Sequence, residues 1–290
     1  MNFFTGNSQP ATRNISEERM LPIFRVIIFV LASILPAAPC LGGTLAISTR
    51  TTLTIYADRI QADVFVENNG SEPAYGVQAN LYIFDRLHSA DAVDQLGVKQ
   101  NRSFQLDVPL PANLKGEFPF VGEVIYHDVS RLTLTALSAG TFKLGSSGAG
   151  ILSGRAPELT LKANESLSVQ VSSGDSKSRD VFATLYLPRR LTTPQKQKHI
   201  KLKPFETAAV DFPLTHRHGA GSATYPVFCT LTYQDSGVAY AAVVQTTVHV
   251  KDFQNWFVQT RLYWLGVGAL IILGWVWVGV TAGGLLIDDC

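Results

Sequence analysis

The feature that most constrains this chain is that one stretch of it is written twice. The segment from about Thr51 to Leu144 resembles the segment from about Glu158 to Val250. Gly70 corresponds to Gly174, and Val77-Gln78-Ala79-Asn80-Leu81-Tyr82-Ile83 to Val181-Phe182-Ala183-Thr184-Leu185-Tyr186-Leu187. Asp107-Val108-Pro109-Leu110 returns as Asp211-Phe212-Pro213-Leu214. Phe118-Pro119-Phe120 with Tyr126-His127-Asp128 is echoed by Tyr225-Pro226-Val227 with Tyr233-Gln234-Asp235. Four matches in one order at nearly constant spacing mean that a single module occurs twice, so the chain must take that module's fold two times over.

The module reads as β. Apolar and polar residues alternate with period two between Gly, Pro, Asn and Ser clusters, and no stretch between the ends keeps helical spacing. Ala62, Val64 and Val66 share one face while Asp63 and Glu67 share the other, and Asn68-Asn69-Gly70-Ser71 supplies a turn. Val77, Ala79, Leu81 and Ile83 make the next buried face. In the strand from Phe120, a solvent-facing Glu123 turns Gly122, Val124 and Tyr126 inward. The matching positions are Cys229, Leu231 and Tyr233, which makes Cys229 a core thiol and not a nucleophile. Each copy has the size and turn spacing of an immunoglobulin-like sandwich. The expected fold class is therefore all-β: two tandem immunoglobulin-like β-sandwiches at 46–144 and 156–252, joined by a flexible Gly/Ser connector at 145–155.

The ends of the chain read differently. Val26 to Leu35 is unbroken apolar sequence with Arg13, Arg19 and Arg25 before it and Pro36-Ala37-Ala38-Pro39-Cys40 after it, the layout of a signal peptide within 1–45. Cleavage between Ala38 and Ala46 is expected, with an uncleaved signal anchor as the alternative; either Met1 or Met20 can be the start. Pro39 stands where a lipoprotein signal needs a small residue. At the other end, 262–287 (Leu262 to Ile287) holds no charged residue and is long enough for a transmembrane helix, with Trp256, Tyr263 and Trp264 at its entry. The acidic Asp288-Asp289-Cys290 tail argues against a glycosylphosphatidylinositol signal. Trp275 and Trp277 lie mid-span, and Gly279 and Gly283 have the small-xxx-small spacing that admits a partner helix.

A resemblance can be drawn from Val64-Phe65-Val66-Glu67-Asn68-Asn69-Gly70, Pro73-Ala74-Tyr75-Gly76-Val77, and Gly116-Glu117-Phe118-Pro119-Phe120 leading to Tyr126-His127-Asp128. These stretches resemble the bacterial and archaeal Ig-like modules of the CARDB and NEW3 type, which occur in tandem on exported or membrane-tethered proteins. The resemblance implies an adhesion, scaffolding or accessory role and transfers no active residues.

Composition narrows the chemistry. A net charge of +1 gives no reason to invoke nucleic acid, whose binders carry a marked basic excess. Three cysteines, Cys40, Cys229 and Cys290, fall in three unrelated contexts and imply no disulfide framework. The absence of disulfides tilts toward a bacterial envelope, while Asn-x-Ser tripeptides at Asn14, Asn69, Asn101 and Asn164 tilt the other way. The sequence holds no nucleophile elbow, phosphate loop, His-Glu-x-x-His or Cys-x-x-Cys, so no enzyme, cofactor or metal is expected. A copper site would lack methionine, since Met1 and Met20 sit in the leader, and His216-Arg217-His218 has no third ligand. The one charge feature is Arg189, Arg190, Lys196, Lys198, Lys201 and Lys203, a run without acids. It is either a patch for anionic polysaccharide or a solvated hairpin guarding a sheet edge; Tyr75 and Tyr82 are candidates for stacking on sugars. The expected function is a non-enzymatic envelope protein, single-pass at the C-terminus, with its β-domains on the periplasmic or extracellular side. Its partners would be the bilayer and another membrane or envelope protein. Glycan binding and a periplasmic chaperone-like role are the alternatives.

Overall fold

The structure is a computed structural model and describes residues 44–145, 151–162, 164–216, 223–251 and 256–283, with helix side chains from 263 to 277. The first repeat contributes β1 (Ile47–Ile55), β2 (Arg59–Asn68), β3 (Ala74–Ile83), β4 (Arg86–Ser89), β5 (Val93–Leu96), β6 (Asn101–Pro109), β7 (Gly116–His127) and β8 (Thr133–Leu144). The second contributes β9 (Leu152–Arg155), β10 (Leu159–Leu161), β11 (Asn164–Ser173), β12 (Arg179–Tyr186), β13 (Leu191–Thr192), β14 (Gln197–Leu202), β15 (Thr207–His216), β16 (Ala223–Asp235) and β17 (Val238–Val250). The helix α1 (Trp256–Gly283) follows.

The strand order repeats as the sequence does. In the first half β1 pairs β2 and β2 pairs β6, while β3 pairs β7 and β7 pairs β8. In the second, β9 pairs β11 and β11 pairs β15, while β12 pairs β16 and β16 pairs β17. Period-two alternation is the cause: Ile60, Ala62, Val64 and Val66 of β2, and Val77, Ala79, Leu81 and Ile83 of β3, all turn into one core. Leu167, Val169 and Val171 with Val181, Ala183 and Leu185 build the equivalent core of the second half. The result is an all-β, sandwich-like body with two hydrophobic cores. Asn68 continues the buried face of β2 as a polar residue, and its amide is satisfied: Nδ2 donates to Glu72 O (2.8 Å) and Leu96 O (3.2 Å), and Oδ1 accepts from the Gly70 N–H (3.0 Å). The two Gly-centred turns do the same work, for Asn69 N–H reaches Ala46 O (2.7 Å) and Gly174 N–H reaches Ile151 O (2.8 Å), tying each turn to the start of its repeat.

Two expectations change and a third is not shown. The stretch 145–155 is not all connector, since Leu152–Arg155 pairs with Ser173–Gln170 of β11 as strand β9; 146–150 lies outside the described residues. Glu123 does not face solvent but is buried, with Asn80 and Tyr82 on its carboxylate. The third concerns 262–287. Among the described residues no helix is long and apolar enough to cross a membrane. The described side chains of α1 run only from 263 to 277, short of the ~20 residues a span takes. The signal segment, the His216-Arg217-His218 pair beyond His216, and the final residues lie outside the described residues.

Candidate functional site

The two repeats do not hang on a loose tether. The face of β7 that points away from its own core carries Val121 and Glu123, and the corresponding face of β16 carries Phe228 and Thr230. Val121, Leu137 and Phe228 form a third buried cluster, with Tyr82, Ala139, Tyr186 and Val243 packed against it. Tyr82 and Tyr186, which are equivalent positions of the repeat, meet with ring centroids 5.6 Å apart. Local alternation assigns this face to water, but the other copy of the module covers it. That is why Glu123 is buried, and its carboxylate is held by Asn80 Nδ2 (3.3 Å) and the Tyr82 hydroxyl (3.1 Å). Burial first, and then the Glu123 charge, push the Tyr82 phenol up to about 12.

At one end of the junction the backbones touch. Gly116 opens β7 beside Ala239 of β17, and Ala239 N–H donates to Lys115 O (2.9 Å). Gly116 has φ of 122°, and a Cβ there would stand 2.0 Å from Ala239 O. Only glycine fits this approach.

At the other end the repeats part to leave a cleft of about 730 Å³. Its walls are β1, β8, the start of β16, and the turn that carries Pro188 and Arg190. Arg190 is only 7% exposed, and neither its Nε nor its Nη2 has a hydrogen-bond partner among the described residues. The sequence explains how it came there. In the first repeat Ile83-Phe84-Asp85-Arg86 closes a tight hairpin, with Phe84 at φ 51° and Asp85 at φ 58°, and Arg86 is exposed. The second repeat has Leu187-Pro188-Arg189-Arg190. A proline ring cannot adopt positive φ, so the chain turns with Leu191 N–H on Pro188 O (2.8 Å), and Arg190 is carried inward while Arg189 stays exposed. Tyr126 and Tyr225 line the same cleft. Burial, with a smaller contribution from Tyr225, pushes the Tyr126 phenol up to about 12; burial raises Tyr225 as well, and Arg190 opposes it.

The remaining sequence candidates are dispersed. Lys196 is exposed ahead of β14, which among the described residues pairs only with β12, at the end of its sheet. Lys198 turns back toward its own sandwich, where Nζ reaches Asp211 O (2.5 Å) and lies 5.6 Å from the Phe212 ring centre. Lys201 points the opposite way, across from Asp180, and Lys203 is exposed past the strand. Period two thus splits the run over two faces, and Arg190 leaves it altogether. This is the distribution of an edge strand protected by lysines, not of one cationic surface. Tyr82 is committed to the junction and not to an outer face. Trp275 and Trp277 are exposed on α1, and Gly279 and Gly283 lie in its helical backbone.

Cys229 is 2% exposed, and burial pushes its thiol up to about 12, so it packs as a small apolar group and stays protonated. The strongest ionic cluster is structural. Arg179 binds Asp175, and its Nη2 lies 2.8 Å from Asp235 Oδ2, so the β11–β12 turn is pinned to the end of β16. Among the described residues no group of three or more His, Cys, Asp or Glu side chains is placed to hold a metal. Sequence reading missed Gly116, Tyr126 and Tyr225 as junction and cleft residues. The signal that was available is Pro188 replacing Phe84 within an otherwise matching hairpin.

No protein-family model and no curated protein matches the sequence. Solved structures show distant likenesses. The Escherichia coli alpha-2-macroglobulin activated by porcine elastase is 9% identical with a TM-score of 0.29, over 73% of this chain and 22% of that one. A protein of unknown function from Porphyromonas gingivalis W83 is 13% identical with a TM-score of 0.29, over 71% and 99%. The YadV chaperone is 13% identical with a TM-score of 0.27, over 69% and 98%. This chain spans about a fifth of the length of the macroglobulin. At these TM-scores the likeness transfers neither site nor activity, and the CARDB and NEW3 resemblance stays one of short motifs.

Proposed function

We propose that this chain is a non-catalytic binding protein, two immunoglobulin-like sandwiches held together as one head and anchored to a cell membrane by a single C-terminal pass, with the head on the periplasmic or extracellular side. The observation that carries the reading is α1. Ten large apolar side chains between Tyr263 and Trp277 are exposed, and Leu270, Trp275 and Trp277 are 70%, 77% and 71% exposed. Burying such a side chain is worth about 1.5–3 kcal/mol, so leaving ten in water forgoes on the order of 10 kcal/mol or more. A helix apolar on every side belongs in lipid or inside a protein assembly. The uncharged run continues to Ile287, and at ~1.5 Å per residue a helix of that length exceeds a ~30 Å hydrocarbon core. The spacing of Gly279 and Gly283 favours a second membrane helix as the partner in the bilayer.

The head supports binding in preference to catalysis, because its one thiol is buried and protonated and its strongest ion cluster clamps turns. A patch for anionic polysaccharide is the weaker reading, since the lysines divide between two faces. The test is fractionation of the full chain beside a version ending at Lys251, followed by extraction of membranes with alkaline carbonate. The full chain is expected to stay with the membrane after carbonate and the shorter one to leave it. A full chain found in the soluble fraction refutes the reading.

A further inference from the structure

Among the described residues, nothing answers two of the donors of the buried Arg190. A guanidinium keeps its charge at any pH a protein meets, and a charged group taken out of water is costly unless something pairs with it. Arg190 is nine-tenths buried, and two of its nitrogens lack partners among the described residues. Those two, Nε and Nη2, lie side by side on one edge of the planar group. That edge donates two parallel hydrogen bonds and matches the two oxygens of a carboxylate.

The surroundings fit the same ligand. Arg190 lines the cleft between the repeats, with Arg50 on its β1 wall, and among the described residues no Asp or Glu lines it. Tyr126 and Tyr225 place phenols along it, and Pro188, Leu134 and Phe228 supply apolar wall. A volume of about 730 Å³ lies in the range of sites that enclose ligands of a few hundred daltons. We propose that this cleft is a binding site for a carboxylate carried on an apolar body, with the Nε–Nη2 edge of Arg190 as its anchor and the tyrosines as flanking contacts. The carboxylate can come from a small organic acid or from the free C-terminus of a polypeptide. Nε and Nη2 have almost no solvent contact, so the Pro188–Leu191 turn must give way slightly as the ligand seats. The site belongs to the head and does not depend on the membrane anchor, so either reading can fail without the other.

The test is calorimetric titration of the full chain in detergent micelles with four probes: hexanoate, the dipeptide acetyl-Val-Phe as free acid, its C-terminal amide, and inorganic phosphate. The free acid is expected to bind at least tenfold more tightly than the amide. Arg190→Gln should abolish that binding, and Arg190→Lys, which keeps the charge and loses the fork, should weaken it about tenfold. Hexanoate binding as tightly as the dipeptide acid indicates a small-acid ligand, and binding of the dipeptide acid alone indicates a chain end. A folding control comes from Arg190→Met. Relieving an unpaired buried charge should leave Tm unchanged or raise it by about 2–4 °C, and a large fall would mean that Arg190 serves the fold. That fall, equal affinity for acid and amide, wild-type affinity in Arg190→Gln, phosphate as the sole bound probe, or no binding at millimolar concentration each overturn the proposal.

Discussion

Gly116→Ala should loosen the union of the two repeats while leaving both cores packed. The added Cβ would stand 2.0 Å from Ala239 O, 2.5 Å from its N and 2.8 Å from its C, all backbone atoms that cannot rotate away. Real Cβ contacts essentially never fall below 3.0 Å, so β7 and β17 must separate by at least roughly 1 Å, more than a hydrogen bond tolerates. The bond lost is Ala239 N–H to Lys115 O, now 2.9 Å, worth about 0.5–1.5 kcal/mol. Alanine at φ of 122° adds strain of about 1–3 kcal/mol. Together these amount to about 2–4 kcal/mol, or a fall in Tm of roughly 5–15 °C for a body of this size.

Hydrogen exchange separates a broken junction from general strain. The Ala239 amide should lose protection in Gly116→Ala, with smaller losses at Val121 and Phe228, while Val64 and Val169 in the separate cores keep theirs. Gly237 is the matched control: it also has positive φ, 77°, but nothing lies within 4 Å of its added Cβ. Gly237→Ala should therefore show strain alone, about 1 kcal/mol, and leave Ala239 protected. Wild-type melting and protection in Gly116→Ala refute the reasoning. Identical behaviour of the two variants would show that backbone strain, not contact between the repeats, fixes the glycine.

Acid should weaken the second repeat through its ion cluster. Burial opposes the Asp175 carboxylate but the Arg179 guanidinium and nearby backbone N–H groups outweigh it, and Arg179 likewise lowers Asp235, so both sit below the usual carboxylate range. A folded pKa below the unfolded one gives stability that is present above the unfolded value of about 4 and lost as pH falls through the folded one. Urea midpoints should fall below about pH 4 in the wild type and fall less in Arg179→Met; equal acid slopes count against the assignment. Cys229, with its thiol pushed up to about 12, should resist iodoacetamide at pH 8 in a chain whose other two cysteines are serine, and react once urea unfolds it. Rapid labelling of the native protein would show that the second core is not closed.

What the sequence made legible is what local period controls. Val64, Leu81 and Leu231 could be turned inward by alternation alone, and the core position of Cys229 followed because its strand is a copy of one already read. The same rule fails at Glu123. Alternation says only which side of a sheet a residue lies on, and both sides of β7 are covered, one by its own core and the other by the second repeat. Arg190 shows a different limit. Composition placed it in a cationic run, but Pro188 decided its direction by forbidding the hairpin that Phe84 and Asp85 make. Gly116 carried no local signal at all, because the atoms that require it belong to Ala239, in the other copy of the module.

The junction is not symmetric in chemistry although it is built from equivalent faces. Tyr82 and Tyr186 descend from one position and meet across it. The first repeat places Glu123 on this face, its carboxylate held by Asn80 and Tyr82. The second repeat instead has Thr230, buried at 3%, and Phe228 where the first has Val121. One copy therefore contributes a carboxylate with its own donors in Asn80 and Tyr82, and the other contributes apolar bulk and a hydroxyl. The same divergence at the hairpin leaves Arg86 exposed and Arg190 enclosed. A duplicated module acquires a one-of-a-kind cleft in this way: the fold is inherited twice, and the few substitutions on the joined faces decide which polar groups are satisfied by the partner copy and which are left for a ligand.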